Sequence, residues 1–153
     1  MRLLIQRVQE AKVMIDHQLY HSIEKGLLVF IAIHLFDGAE EVEWMVNKLI
    51  HLRIFSDDKG KMNQSLQEQK AQLLVISQFT LYGNCKNGRR PDYFQAAPPK
   101  IALPLYEKFL HLLAEKVAPL SLTVKSGKFG AAMQVHLIND GPVTLLIETP
   151  LKN

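Results

Sequence analysis

Two short, uninterrupted apolar runs constrain this chain more than any other feature. Leu27-Leu28-Val29-Phe30-Ile31-Ala32-Ile33 follows Gly26, and Leu73-Leu74-Val75-Ile76 leads straight into Ser77-Gln78-Phe79-Thr80. Neither run alternates with polar residues, so each predicts a strand buried on both faces, as in a sheet covered on both sides. Around them the sequence predicts a hairpin, with Ala11 to Asp16 and Leu19 to Ile23 flanking a polar turn at His17-Gln18. A first helix is expected from Asp37, capped by its carboxylate with Glu40 reaching back. Val42, Met45, Val46, Leu49 and Ile50 recur there at helical spacing, and Trp44 lies off that stripe. Ser56 to Lys61 reads as a turn, and Gly83 to Asp92 as a polar, basic loop. A second helix is expected over Pro98 to Val117, with Ile101, Leu105, Phe109, Leu112 and Leu113 inward. Pro98 and Pro99 suit its start, while Pro104 is awkward inside it. Leu120 to Lys125, Met133 to Ile138 and Val143 to Glu148 read as strands, the last two separated by Asn139-Asp140-Gly141-Pro142. The outline is a sheet-rich α/β fold with two main helices, in one domain over residues 1–153.

Composition excludes several classes. A hydrophobic fraction of 48% and a charged fraction of 22% are ordinary for a globular chain, so wholesale disorder is excluded. Cys85 is the single cysteine, which excludes an intrachain disulfide and a thiolate zinc cluster. The longest apolar run is far shorter than the ~20 residues a membrane span needs, and Arg7 interrupts the N-terminal apolar stretch where a signal core would lie. A soluble, cytoplasmic protein is expected. The net charge is only +3, but its distribution is uneven. From Asp37 to Asp58 there are six acids against two bases, and from Lys86 to Lys128 eight bases against three acids. A one-sided basic half suits a polyanionic partner, and it is equally compatible with an ordinary solvated surface.

The chain contains no phosphate-binding loop ending in Gly-Lys-Ser/Thr and no Gly-x-Ser-x-Gly elbow. Its six histidines show no metal-ligand spacing, so neither a metal nor a cofactor is expected. His34, beside a strand end, suits a structural role better than acid–base work. Two segments carry the chemistry instead. Ser77-Gln78-Phe79-Thr80 ends a buried strand with three polar side chains, which are costly to bury without partners. They must reach solvent or line a polar pocket, as strand ends in α/β proteins often do. On a continuing strand Gln78 and Thr80 would share one face and Ser77 and Phe79 the other, and free backbone N–H groups there would hold a developing oxyanion. The second segment, Asn139-Asp140-Gly141-Pro142, reads as a turn by composition. The alternative is a rigid element whose carbonyls face a ligand, aimed by a cis peptide before Pro142.

Taken together and in order, these segments resemble the D-aminoacyl-tRNA deacylase family over nearly the whole chain. The match begins with Leu4-Ile5-Gln6-Arg7-Val8 and Gly26 to Val29. It continues through Arg53 to Asp57, Gly60 to Asn63, Ser77 to Leu81, Arg90-Pro91, Gly127 to Met133 and Asn139 to Thr144. The resemblance implies a fold of mixed, barrel-like β-sheets and a homodimer with active sites at the subunit interface. It implies that Gly141 and Pro142, through a cis bond, reach into the partner's pocket. There they exclude an L side chain while admitting a D-amino acid or achiral glycine, including glycine mischarged on alanine tRNA. Gln78 and Phe79 would offer backbone N–H groups, Ser77 and Thr80 would complete the pocket, and Arg7 and Met133 would lie around it. Thr80 is the obvious nucleophile, yet no base is visible for it, which favours attack by water assisted by the RNA's own 2′-hydroxyl. Arg89 and Arg90 are the expected tRNA contacts. Two other readings stand beside the hydrolase: a non-catalytic tRNA-binding module, and a hydrolase of small D-amino-acid esters. The chain departs from the family pattern at Ala32-Ile33-His34-Leu35-Phe36, where a Gly-Val pair and a charged stretch are usual, and in a slightly longer tail after Glu148.

Overall fold

The computed structural model describes residues 1–150. Its elements run β1 (Arg2–Ile15), β2 (Gln18–Ile23), β3 (Gly26–Ala32), α1 (Ala39–His51), β4 (Phe55–Ser56), β5 (Met62–Gln64), α2 (Leu66–Gln69), β6 (Gln72–Ser77), α3 (Pro99–Val117), β7 (Val124–Ser126) and β8 (Met133–Glu148). Short 3-10 turns lie at Phe79–Tyr82 and Ala118–Leu120.

The long strand β1 organises the sheet. Its first half pairs antiparallel with β3 and its second half with β2, while β8 runs antiparallel along its other side from Ile15↔Met133 to Arg2↔Glu148. β6 then pairs parallel with β3, and β7 parallel with β6. The sheet curls until its ends meet: a His21 ring nitrogen lies 2.6 Å from the Ser126 carbonyl oxygen, linking β2 to β7. The result is the nearly closed, barrel-like sheet with few helices that the resemblance implied.

Side-chain alternation explains why both apolar runs lack polar residues. Leu27, Val29, Ile31, Leu73 and Val75 face α1 and α3 in the larger core. Leu28, Leu74 and Ile76 join Val8, Val13 and Ile23 in a second core inside the curl. The strands approach so closely that a Cβ on Gly26 would lie 2.0 Å from the Gln72 carbonyl oxygen.

Local details differ from the sequence expectations for identifiable reasons. The β1–β2 turn sits at Asp16 and His17, one residue early; both have positive φ (50° and 62°), the conformation that matches strand twist in a two-residue hairpin. Helix α1 is capped from Gly38, whose N–H donates to the Glu41 carboxylate at 2.7 Å. Asp37 is occupied elsewhere, accepting from the Met1 ammonium (2.7 Å) and the His34 N–H (2.6 Å). The α1 stripe is buried as expected. α3 starts at Pro99 and carries Pro104 within it; its most buried face is Ala102, Tyr106, Phe109, Leu113 and Val117, with Ile101, Leu105 and Leu112 flanking. Ser121, at φ 55°, delays the next strand, so only Val124–Ser126 pairs. The largest correction concerns Asn139-Asp140-Gly141-Pro142. It is not a turn between two strands, because β8 runs through it and keeps pairing with β1 on both sides.

Candidate active site

β3 and β6 end together at the Ile31↔Ser77 pair, and the chain turns away there. The Gln78 N–H donates to the Ile31 carbonyl at 2.8 Å, closing the strand. Phe79–Tyr82 then form one 3-10 turn, with Leu81 N–H donating to Gln78 O and Gly83 N–H to Thr80 O. The first N–H groups of any such turn have no carbonyl behind them. Here these are Phe79 and Thr80, whose N–H groups find no acceptor among the described residues. Gln78 was expected to offer its N–H to a substrate; in this geometry the Ile31 carbonyl takes it.

These groups stand at the end of a cleft of about 580 Å³. Ser77, Gln78 and Phe79 form one wall, the start of α3 at Pro98 to Ala102 a second, and Phe129 to Met133 a third. The cleft walls hold no Asp, Glu, His, Lys, Arg or Cys among the described residues. Met133 is seated against Gly127, where a Cβ would come within 2.5 Å of its sulfur. Because β6 stops at Ser77, Gln78 and Thr80 do not meet by strand alternation. The 3-10 turn brings them together, and the Gln78 side-chain amide donates to the Thr80 hydroxyl. Thr80 is exposed at the edge of the cleft rather than within its walls.

Arg7, Gly141 and Pro142 lie elsewhere on the chain and do not line this cleft. Between the pairs Val8↔Asn139 and Gln6↔Thr144, residues 140–143 bulge out opposite Arg7 alone. The Gly141–Pro142 peptide at the tip is cis, and both residues are exposed. Three ties fix the bulge. Asn139 Nδ2 donates to Arg7 O (2.9 Å) and to Val143 O (3.1 Å). The buried Arg7 guanidinium pairs with Asp140 at 2.8 Å and donates to the Ile54 carbonyl at 2.9 Å. Arg7 therefore serves the bulge of its own chain, not the wall of its own cleft.

The basic loop is closed by Asn84 and Asp92, which exchange backbone hydrogen bonds and a side-chain bond of 2.9 Å. Lys86, Arg89 and Arg90 on it are exposed. The loop leads into Tyr93, whose ring meets Phe79 edge-on at 5.1 Å, so the basic segment ends on the cleft's rim. Sequence reasoning did not single out Tyr93, Ala102 or Phe129 as cleft residues; the proline pair at the start of α3 was the available signal for a wall there. Behind the cleft, Tyr106 donates to the Val75 carbonyl at 3.2 Å, and burial pushes its pKa up to about 12. No group of three or more His, Cys, Asp or Glu side chains suited to a metal occurs among the described residues. No helix among them is long and apolar enough to cross a membrane.

The profile of the D-Tyr-tRNA(Tyr) deacylase family matches residues 4–148. D-aminoacyl-tRNA deacylase of Protochlamydia amoebophila is 54% identical over 149 residues, covering 97% of this chain and 96% of that protein. The Thermotoga petrophila protein of the same name is 48% identical over 149 residues, covering 97% of each. Among solved structures, the c-Myc DNA Unwinding Element Binding Protein superposes with a TM-score of 0.91 at 39% identity, covering 99% of this chain and all of that one. A structure described as a probable eukaryotic D-amino acid tRNA deacylase shares the fold, with a TM-score of 0.80 at 21% identity and coverage of 95% and 97%. With residues 4–148 matched by the family's profile and nearly its whole length aligned with these relatives, the chain belongs to the D-Tyr-tRNA(Tyr) deacylase family.

Proposed function

We propose that this protein hydrolyses the ester that joins a D-amino acid to the terminal adenosine of tRNA, and spares the L-aminoacyl ester. The observation that carries this reading is the pair of unpartnered N–H groups, Phe79 and Thr80, at the end of a cleft walled by uncharged residues. Two N–H groups fixed by a turn suit an ester carbonyl oxygen as it becomes an oxyanion. No carboxylate or imidazole in the cleft walls is available to activate the Thr80 hydroxyl, which already accepts a hydrogen bond from Gln78. The proton chemistry therefore falls to the substrate. The 2′-hydroxyl of the terminal ribose assists water, which adds to the carbonyl carbon. The ester C–O bond then breaks, and the ribose 3′-oxygen leaves with a proton.

Chirality is assigned to Gly141 and Pro142 of a second copy, reaching into this cleft and opposing an L side chain while admitting a D residue or glycine. Two features of the fold support this. The tip of the bulge is exposed and does not line its own cleft. Among the described residues the 16-residue strand β8 pairs with β1 alone, leaving an edge with exposed Ile138, Leu145 and Leu146 that invites another chain. On this reading the protein is a homodimer, its domain is the whole chain, and Arg89 and Arg90 contact tRNA phosphates.

One substrate change and one substitution test the chemistry. Replacing the terminal ribose with its 2′-deoxy form should abolish single-turnover hydrolysis, whereas Thr80→Val should leave it within tenfold; the reverse pattern would make Thr80 the nucleophile. Arg89→Ala with Arg90→Ala should reduce the salt slope of tRNA affinity by about 1 per residue. An unchanged slope would remove that loop from the RNA interface and favour a hydrolase of small esters.

A further inference from the structure

The two most exposed large apolar side chains among the described residues are Phe36 and Phe94, at 80% and 85%. They are not scattered. The segment after β3 and the segment before α3 lie side by side, with Leu35 N–H donating to Gln95 O at 2.9 Å and His34 bridged to Ala96. Phe36 and Phe94 each stand one residue beyond this bonded pair, on the same side of it, so the pairing carries both to one end. Neither is loose. Phe36 packs against His34 (ring centroids 5.5 Å apart), His34 against Tyr82 (5.2 Å), and the Arg2 guanidinium lies 4.4 Å over the Tyr82 ring. Phe94 follows Tyr93, which is held by Phe79 at the cleft rim.

Single exposed apolar residues are unremarkable, but a pair of aromatic rings held on paired loops beside a site is not. The surroundings limit what covers them. Ile33, Tyr93 and Ala96 of the same paired loops line the cleft, while Phe36 lines the neighbouring pocket with Arg2, Asp37, Glu41 and Glu148. The loop preceding Tyr93 carries Lys86, Arg89 and Arg90, all exposed. The acids nearby are engaged: Asp37 with the Met1 ammonium, Glu41 with the Gly38 N–H, Glu148 with Arg2, and Asp92 with Asn84. Exposed aromatic rings next to unneutralised cations form the combination that binds single-stranded nucleic acid, bases stacking on the rings and phosphates meeting the cations.

We propose that Phe36 and Phe94 form a stacking platform for the unpaired nucleotides just 5′ of the terminal adenosine, guiding the single-stranded acceptor end into the cleft. This rests on the reading of the cleft as a tRNA-ester site, and deepens it by naming which part of the RNA is held outside. The competing occupant, a second copy of this chain, would bury the rings as hydrophobic surface and would not distinguish aromatic from aliphatic side chains.

The test uses binding of an uncharged RNA minihelix, with and without its four-nucleotide single-stranded 3′ end, so it does not depend on hydrolysis. The wild-type protein should bind the overhanging form at least tenfold tighter than the blunt one, since stacking contributes about 1–3 kcal/mol per base and 1.4 kcal/mol is tenfold. Phe36→Leu with Phe94→Leu should remove most of that difference, and Phe36→Tyr with Phe94→Tyr should retain it. Light scattering on each variant reports the oligomeric state. An overhang preference unchanged in the leucine pair overturns the proposal, as does an equal loss in the tyrosine pair. Dissociation of the protein by Phe36→Ser with Phe94→Ser assigns the rings to a subunit interface and overturns it too. Failure of the deacylase reading itself would appear separately, as absent ester hydrolysis with overhang binding intact.

Discussion

Asn139→Ala tests whether the bulge in β8 acts as a selective device or merely interrupts a strand. The bulge places four residues, 140–143, opposite one, Arg7, so β1 alone does not hold it. Its shape depends on the two Asn139 amide bonds, to Arg7 O and Val143 O, and on the Arg7–Asp140 pair. Alanine removes two of these three ties and leaves Arg7–Asp140 in place. Each lost bond costs about 1 kcal/mol net, giving about 2 kcal/mol in all. Because the bulge lies at an exposed edge, this loss falls mainly on its position and less on the global fold. A filter that excludes by rigidity loses discrimination by the same free energy, and about 2 kcal/mol is roughly 30-fold. Hydrolysis of L-tyrosyl-tRNA should therefore rise up to about 30-fold relative to D-tyrosyl-tRNA, while the D rate changes little. The assay is single-turnover deacylation of both esters, beside a urea melt of each protein. A lowered melting midpoint with an unchanged D-to-L ratio would refute the reasoning, since Asn139 would then support the strand and not the filter.

Three further outcomes follow from the packing. Gly26→Ala places a Cβ 2.0 Å from a backbone carbonyl that cannot step aside, so it should cost about 3 kcal/mol or more, the upper end of overpacking, visible as a melting point about 10 °C lower. Gly127→Ala meets the flexible end of Met133 instead; it should cost only about 1 kcal/mol of stability but lower kcat/KM about tenfold, because the displaced thioether moves in a wall of the cleft. Tyr106 is held neutral by burial, with its pKa raised from 10.0 to about 12, and Tyr82 is raised in the same direction by burial. A raised tyrosine pKa contributes stability that is complete below pH 10 and declines as pH rises through the folded value, so urea midpoints should fall between pH 10 and 12. Tyr106→Phe should flatten part of that decline.

The sequence made legible those features whose cause is local. Leu27 to Ile33 and Leu73 to Ile76 read as doubly buried strands because nothing polar interrupts them, and the two cores on either side of the sheet are the reason. The polar residues ending the second run marked the cleft. What stayed hidden depends on partners distant in the chain. Asn139-Asp140-Gly141-Pro142 has the composition of a turn, and only the return of pairing at Gln6↔Thr144 reveals that the strand continues. Gln78 carries no local sign that its N–H is taken, because the Ile31 carbonyl that accepts it lies 47 residues away in sequence. Asp37 looked like a helix cap until the Met1 ammonium and His34 claimed it, which passed the cap to Gly38. Arg7 carries no local sign that it pairs with Asp140.

The most direct test of the central claim is single-turnover hydrolysis of D-tyrosyl-tRNA beside L-tyrosyl-tRNA, with glycyl-tRNA as a third substrate. The account predicts fast loss of the D and glycyl esters and an L ester that decays no faster than in buffer. Binding of all three without hydrolysis of any would contradict it, and would make the protein a tRNA-binding module.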